Sequence, residues 1–133
     1  MPRIEREYRV LRGPAHTVLG GSSLGGLMGL YGHFRHPETF GGVLSLSPSV
    51  WIDGGVFHRH IADLPLPAVR RIYLDAGAKE SRTMVHSLTL VDLLVAKGCV
   101  VGDDLMWRPD ARGRHNEAAW RRRLPKALRF LYG

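Results

Sequence analysis

Four glycines in seven residues, Gly20-Gly21-Ser22-Ser23-Leu24-Gly25-Gly26, constrain what this chain can fold into more than any other stretch. The run follows Thr17-Val18-Leu19-Gly20, which reads as a buried strand. It leads into Gly25 to Phe34, which reads as a helix with Leu27, Leu30, Tyr31 and Phe34 at helical spacing. A strand that passes directly into a helix is the first half of a parallel crossover unit. Inside the turn, Gly21-Ser22-Ser23-Leu24-Gly25 matches G-x-S-x-G, the spacing that holds a serine on a sharp bend above a sheet. Side chains two residues before and two after that serine are expected to collide with the neighbouring strand and helix, so glycine fills both places. Ser22 lacks glycines at both flanking positions, which leaves Ser23 as the candidate nucleophile. The Leu24 amide, at the positive end of the following helix, is the expected oxyanion donor. The competing use of such a turn is phosphate binding or close packing. No lysine stands in the P-loop position to support it.

The rest of the chain repeats the alternation. Residues 3–9 read as a short polar helix, and His36-Pro37 stops the helix after the glycine turn. Gly42 to Leu46 reads as a second strand. Arg70 to Leu74 reads as a third, bounded upstream by Pro65 and Pro67, with a loop between the two. Arg82 to Ala96 is a long helix ended by Lys97-Gly98. Leu105 to Arg108 reads as a fourth strand stopped by Pro109. Asn116 to Leu131 is the last helix, with Trp120, Leu124, Leu128 and Leu131 on one face and a kink expected at Pro125. The order predicts an α/β fold: a mainly parallel sheet of about four strands with covering helices, in one domain over residues 1–133. Functional groups in such sheets gather at the C-terminal ends of strands. That rule selects three turns: Gly20–Gly26, Asp75–Glu80 and Asp110–His115.

A serine hydroxyl needs a base to take its proton. With this type of turn the chain order is serine, acid, histidine. Of seven histidines, His16 precedes the serine, His33 and His36 end the first long helix, His58 and His60 fall in the loop, and His86 lies inside a helix. Only His115 follows the last strand and precedes the last helix, which makes it the candidate base. The acid must orient the imidazole and stabilise its charged form. Asp75 at the strand end and Glu80 just beyond it both qualify on position.

Composition narrows the classes. Cys99 is the only cysteine, so an internal disulfide and a cysteine-rich zinc site are excluded, and its apolar neighbours place it in the core. No apolar run reaches the roughly 20 residues of a membrane span. Met1 to Arg12 lacks the apolar segment of a signal peptide, which predicts a cytoplasmic location. The net charge of +7 comes mainly from arginines spread along the chain. Arg121-Arg122-Arg123 reads as a solvated helix face, and no nucleic-acid-binding motif accompanies it or Arg129.

Four motifs together resemble the esterase D-like putative esterase family, which includes enterochelin (siderophore) esterases within the α/β-hydrolase superfamily. They are Gly20 to Leu27; Pro37 to Phe40 with Gly42 to Trp51; Asp75-Ala76-Gly77-Ala78-Lys79-Glu80; and His115-Asn116-Glu117-Ala118-Ala119-Trp120. The resemblance implies hydrolysis of carboxylic esters without a cofactor or metal, with Ser23 as nucleophile and His115 as base. It maps the acid onto Glu80, keeps Asp75 as the alternative acid, and offers Trp51 as a wall of the substrate pocket, with a core position as the other reading. It implies a small-molecule ester as partner, while the missing nucleic-acid motif and the missing apolar span argue for neither nucleic acid nor membrane. The chain matches the C-terminal portion of the family pattern. Members carry an earlier half with further strands and the loop that supplies the second oxyanion amide. The expectation is therefore an exposed sheet edge and a missing oxyanion donor, with the earlier half or a second copy of the chain as partner. A non-catalytic remnant and an acyltransferase are the alternatives to the hydrolase.

Overall fold

The computed structural model describes residues 2–133. A short helix α1 (Pro2–Glu7) and a 3₁₀ turn at Pro14–His16 lead into β1 (Val18–Ser22). Then follow α2 (Leu24–Arg35), β2 (Gly42–Leu46), α3 (Ile52–Asp63), β3 (Arg71–Gly77), α4 (Ser81–Ala96), β4 (Leu105–Asp110) and α5 (Glu117–Tyr132). The strands form one all-parallel sheet in the order β1-β2-β3-β4, so the fold is α/β as the alternation predicts. Parallel strands need crossover helices, and these cover both faces of the sheet.

The two inner strands carry the core. On one face Val43, Ile72 and Leu74 pack with Leu30 and Phe34 of α2, Ile61 of α3 and Leu90 and Leu94 of α4. On the other, Leu46 and Tyr73 pack against Ala127 and Leu131 of α5. Ile72, Tyr73 and Leu74 thus alternate between the two clusters, as the period of two along a strand requires. Cys99 is buried in the larger cluster, as its neighbours predict, and burial pushes its thiol up from the ordinary range. Among the described residues no helix is long and apolar enough to cross a membrane.

The structure corrects several boundaries. β1 is half-exposed rather than buried, because it pairs only with β2 and lies at the sheet edge. β3 continues past Leu74 to Gly77, paired to β4 over its whole second half. β4 runs through Pro109 to Asp110: it is an edge strand, where a residue without an N–H is tolerated. The loop expected between β2 and β3 contains α3, so His58 and His60 are helical. Its pattern is masked by Asp53, Gly54 and Gly55, which adopt left-handed backbone with φ of 52°, 62° and 75° and break the periodicity at the helix start. α5 continues through Pro125. Its buried face is Ala119, Arg123, Ala127 and Leu131, shifted from the expected stripe and leaving Leu128 exposed. Arg123 is therefore not on a solvated face; it is only 6% exposed.

Candidate active site

Ser23 sits between the last residue of β1 and the first of α2, with φ 56° and ψ −118°. This conformation costs a side-chain-bearing residue on the order of 1–3 kcal/mol, and surrounding contacts must hold it. The Ser23 N–H donates to Leu46 O at 2.9 Å, and its carbonyl accepts from Leu27 N and Ser49 N, both at 3.1 Å. The two flanking glycines have different roles. A Cβ on Gly21 would lie 2.9 Å from the backbone of Gly25, whereas a Cβ on Gly25 would meet nothing within 4 Å. The expectation that both side chains would collide with neighbouring elements holds for Gly21 alone. Leu24 opens α2, so its N–H has no partner within the helix and is free to donate at the site.

His115 lies in the turn after β4, one residue before Asn116, whose side chain caps α5 by accepting from Ala119 N at 3.0 Å. The cap sets where α5 begins and so where the imidazole emerges. Trp120, one turn into α5, meets the imidazole edge-on with centroids 5.0 Å apart. His115 Nε2 is 2.8 Å from Ser23 Oγ, and His115 Nδ1 is 2.7 Å from Glu80 Oε2. A Glu80 carboxylate can only accept, so Nδ1 carries the ring proton and Nε2 accepts from the Ser23 hydroxyl. A third group touches the Ser23 hydroxyl. Ser49 Oγ lies 3.1 Å from Ser23 Oγ, and with the Ser23 proton committed to His115, the Ser49 hydroxyl is the donor.

Glu80 stands at the N-terminal boundary of α4, makes no side-chain bond to that helix's first amides, and is buried. Its Oε1 accepts from Gly77 N and from Ser47 Oγ, each at 2.9 Å. Asp75, in β3, does not reach the imidazole. Its Oδ1 accepts from Ser47 N at 2.9 Å, and its Oδ2 lies 3.0 Å from Arg123 Nε. Burial raises the Asp75 carboxyl to about 6, against the opposing pull of the Arg123 charge and the Ser47 amide. Burial, followed by the Asp75 charge, pushes the Tyr73 hydroxyl up as well.

Two cavities open beside the serine–histidine pair. One, of about 290 Å³, is lined by Trp51, Lys79, Glu80, Arg82, Thr83 and His115, with the Arg82 guanidinium 5.1 Å from the Trp51 ring centre. The other, of about 340 Å³, is apolar and runs from Ser49 along Leu27, Met28, Tyr31, Ile52 and Val56. The structure thus brings together Ser23, His115, Glu80 and the Leu24 amide, places Trp51 in a wall of the adjoining cavity, and sets Asp75 behind Glu80. Sequence reasoning gave no role to the Ser47 or Ser49 hydroxyls and none to Arg123. The available signal for Arg123 was a charge in register with the small apolar residues Ala119 and Ala127 of α5. Among the described residues no group of acidic, histidine or cysteine side chains is arranged to hold a metal.

Comparison with known proteins gives a consistent affiliation. The Bacillus subtilis protein YbbA is 26% identical over 140 residues, covering all of this chain and 56% of YbbA. The iron(III) salmochelin esterase of Escherichia coli O6:H1 is 32% identical over 151 residues, covering all of this chain and 34% of that protein. The solved enterobactin esterase of Shigella flexneri, crystallised in the presence of enterobactin, superposes with a TM-score of 0.84 at 30% identity, over 98% of this chain and 34% of that one. The chain spans about a third to a little over half the length of these relatives. The family model described as "Putative esterase" matches residues 1–131, nearly the whole chain. With that match, and a parallel sheet shared with solved esterases, the chain belongs to the putative esterase family.

Proposed function

We propose that this protein is a serine hydrolase that cleaves carboxylic esters by two-step acyl transfer. The observation that carries the reading is the continuous run of contacts Ser23 Oγ–His115 Nε2 and His115 Nδ1–Glu80 Oε2, at 2.8 and 2.7 Å. His115 takes the Ser23 proton as Ser23 Oγ bonds to the ester carbonyl carbon. The resulting oxyanion is held by the Leu24 N–H. As the tetrahedral centre collapses, His115 protonates the leaving alcohol. It then deprotonates water, which attacks the acyl-enzyme and releases the acid. Glu80 stabilises the imidazolium in both steps. If an alcohol enters instead of water, the same steps give an acyltransferase.

The substrate class we favour is a siderophore-type ester. Two relatives are named for iron(III) salmochelin and enterobactin, and a net charge of +7 suits an anionic substrate. The test is incubation of the purified chain with a fluorophosphonate probe and with enterobactin. Labelling at Ser23, and ester cleavage lost in Ser23→Ala, is the expected result. Cleavage that survives Ser23→Ala sinks the assignment, and a wild-type chain that takes no label keeps the fold without the function.

A further inference from the structure

Behind the serine–histidine pair, three carboxylates converge on one buried guanidinium. Arg123 comes from α5 and is buried between that helix and the sheet. Its Nε is 3.0 Å from Asp75 Oδ2, its Nη1 is 3.7 Å from Glu80 Oε1 and 3.8 Å from Asp110 Oδ2, and its Nη2 donates to Ser47 Oγ at 2.6 Å. The approaches to the carboxylates lack hydrogen-bond alignment, so they act through charge. The bond to Ser47 is directional.

Two consequences follow. The first concerns the Ser47 hydroxyl, which owns one proton. A guanidinium only donates, so Ser47 Oγ must accept from Arg123 and spend its proton on Glu80 Oε1, at 2.9 Å. With Gly77 N–H also donating to Oε1, that oxygen is held, and Oε2 is left for His115. The second concerns charge. The acidic and neutral titratable groups around Arg123 are Tyr73 and Asp75 from β3, Glu80 with its partner His115, and Asp110 from β4, while Arg108, Arg112, Arg122 and Lys126 line the cavity on its outer side. Asp110 has its own cation in Arg122. Among the described residues Arg123 is the one buried cation facing both Asp75 and Glu80, whose like charges oppose each other. Without that cation, repulsion from Asp75 would push the Glu80 carboxylate away from its place against His115.

We propose that Arg123 is a positioning residue for the reaction, keeping the Glu80 carboxylate aimed at His115 by balancing the Asp75–Glu80 pair and setting the direction of the Ser47 hydroxyl. The proposal rests on the roles given to Ser23, His115 and Glu80 above. It adds a fourth element on a different helix, reached through Ser47.

The test compares the full chain with Arg123→Met, Arg123→Lys and the double variant Asp75→Asn/Arg123→Met. One readout needs no turnover: the low-field proton resonance of His115 Nδ1–H, which reports a carboxylate acceptor. The other is kcat and KM on p-nitrophenyl acetate. In Arg123→Met the resonance disappears and kcat falls by about 100-fold, the lower range of what a positioned base contributes, while KM stays within about twofold. The double variant removes one anion with the cation. It regains the resonance and about tenfold of the lost kcat, which a packing role for Arg123 would not produce. Arg123→Lys keeps the charge and retains the resonance. The proposal is overturned if Arg123→Met keeps both resonance and kcat, or if a folded double variant is as impaired as the single one. Should Arg123→Met fail to fold, the double variant and Arg123→Lys decide: folded protein with the resonance supports the proposal, and folded protein without it does not. A wild-type chain that shows the resonance but cleaves no ester refutes the esterase reading and leaves Arg123 to be judged on the resonance alone.

Discussion

His115 Nε2 lies 2.8 Å from Ser23 Oγ although the two residues are separated by 92 positions in the chain. Each is placed by the end of a parallel strand and the start of a helix: Ser23 between β1 and α2, His115 between β4 and α5. Parallel strands present all such turns at the same end of the sheet, so residues distant in sequence share one edge. β2 and β3 lie between these strands, and the β3–α4 turn brings Glu80 to the far side of the imidazole.

That arrangement ranks the two candidate acids. Glu80→Gln replaces the carboxylate that accepts from His115 Nδ1, and kcat should fall by about 10²–10⁴. Asp75→Asn leaves the His115 contact in place, and kcat should fall by less than about tenfold. Steady-state kinetics on a chromogenic ester distinguishes the two, and the reverse ranking would move the acid role to Asp75.

The glycine turn gives a second contrast. Gly21→Ala forces a Cβ to within 2.9 Å of the Gly25 backbone, so the turn must shift and Ser23 with it. Loss of fluorophosphonate labelling together with a lower melting temperature is the expected outcome. Gly25→Ala points its methyl group into open space within α2. It should preserve labelling and raise stability by about 0.5–1 kcal/mol, because alanine loses less conformational freedom than glycine in a helix. Equal damage from the two substitutions would contradict this reading of the turn.

Asp75 makes stability depend on pH in an unusual direction. Burial raises its carboxyl to about 6 from the ordinary 3.8, so the folded state holds this proton more tightly than the unfolded chain. Its contribution to stability is fully present below about 4 and is lost as pH rises through about 6. The difference amounts to roughly 3 kcal/mol. Urea denaturation of the wild type and Asp75→Asn at pH 4, 5, 6 and 7 isolates this group from the other titrating residues. The wild type should lose stability relative to the variant across that range, and parallel curves would rule out a raised Asp75.

Ser49 supplies a smaller effect. Its hydroxyl donates to Ser23 Oγ at 3.1 Å, which turns the Ser23 proton toward His115. Ser49→Ala removes one neutral hydrogen bond worth about 1 kcal/mol, so kcat should drop about fivefold. The change should appear in kcat and in the rate of fluorophosphonate labelling. An unchanged labelling rate would show that the Ser49 hydroxyl does not orient Ser23.

The amino-acid sequence by itself determined the strand–helix alternation, the position of Ser23 on its bend, and the place of His115, alone among seven histidines, in the turn after the last strand. These depend on local backbone geometry and chain order, which one dimension carries. It left Glu80 and Asp75 level on position, with the family resemblance alone favouring Glu80, because only four residues, Ala76 to Lys79, separate them and the packed turn is what shows which carboxylate faces the imidazole. It hid α3 behind three left-handed residues and assigned Arg123 to solvent, since a run of arginines looks the same whether or not one of them points inward. The tertiary structure decided those points. Burial of a guanidinium requires compensating anions, and Asp75, Glu80 and Asp110 reach Arg123 only when β3, β4, α4 and α5 come together.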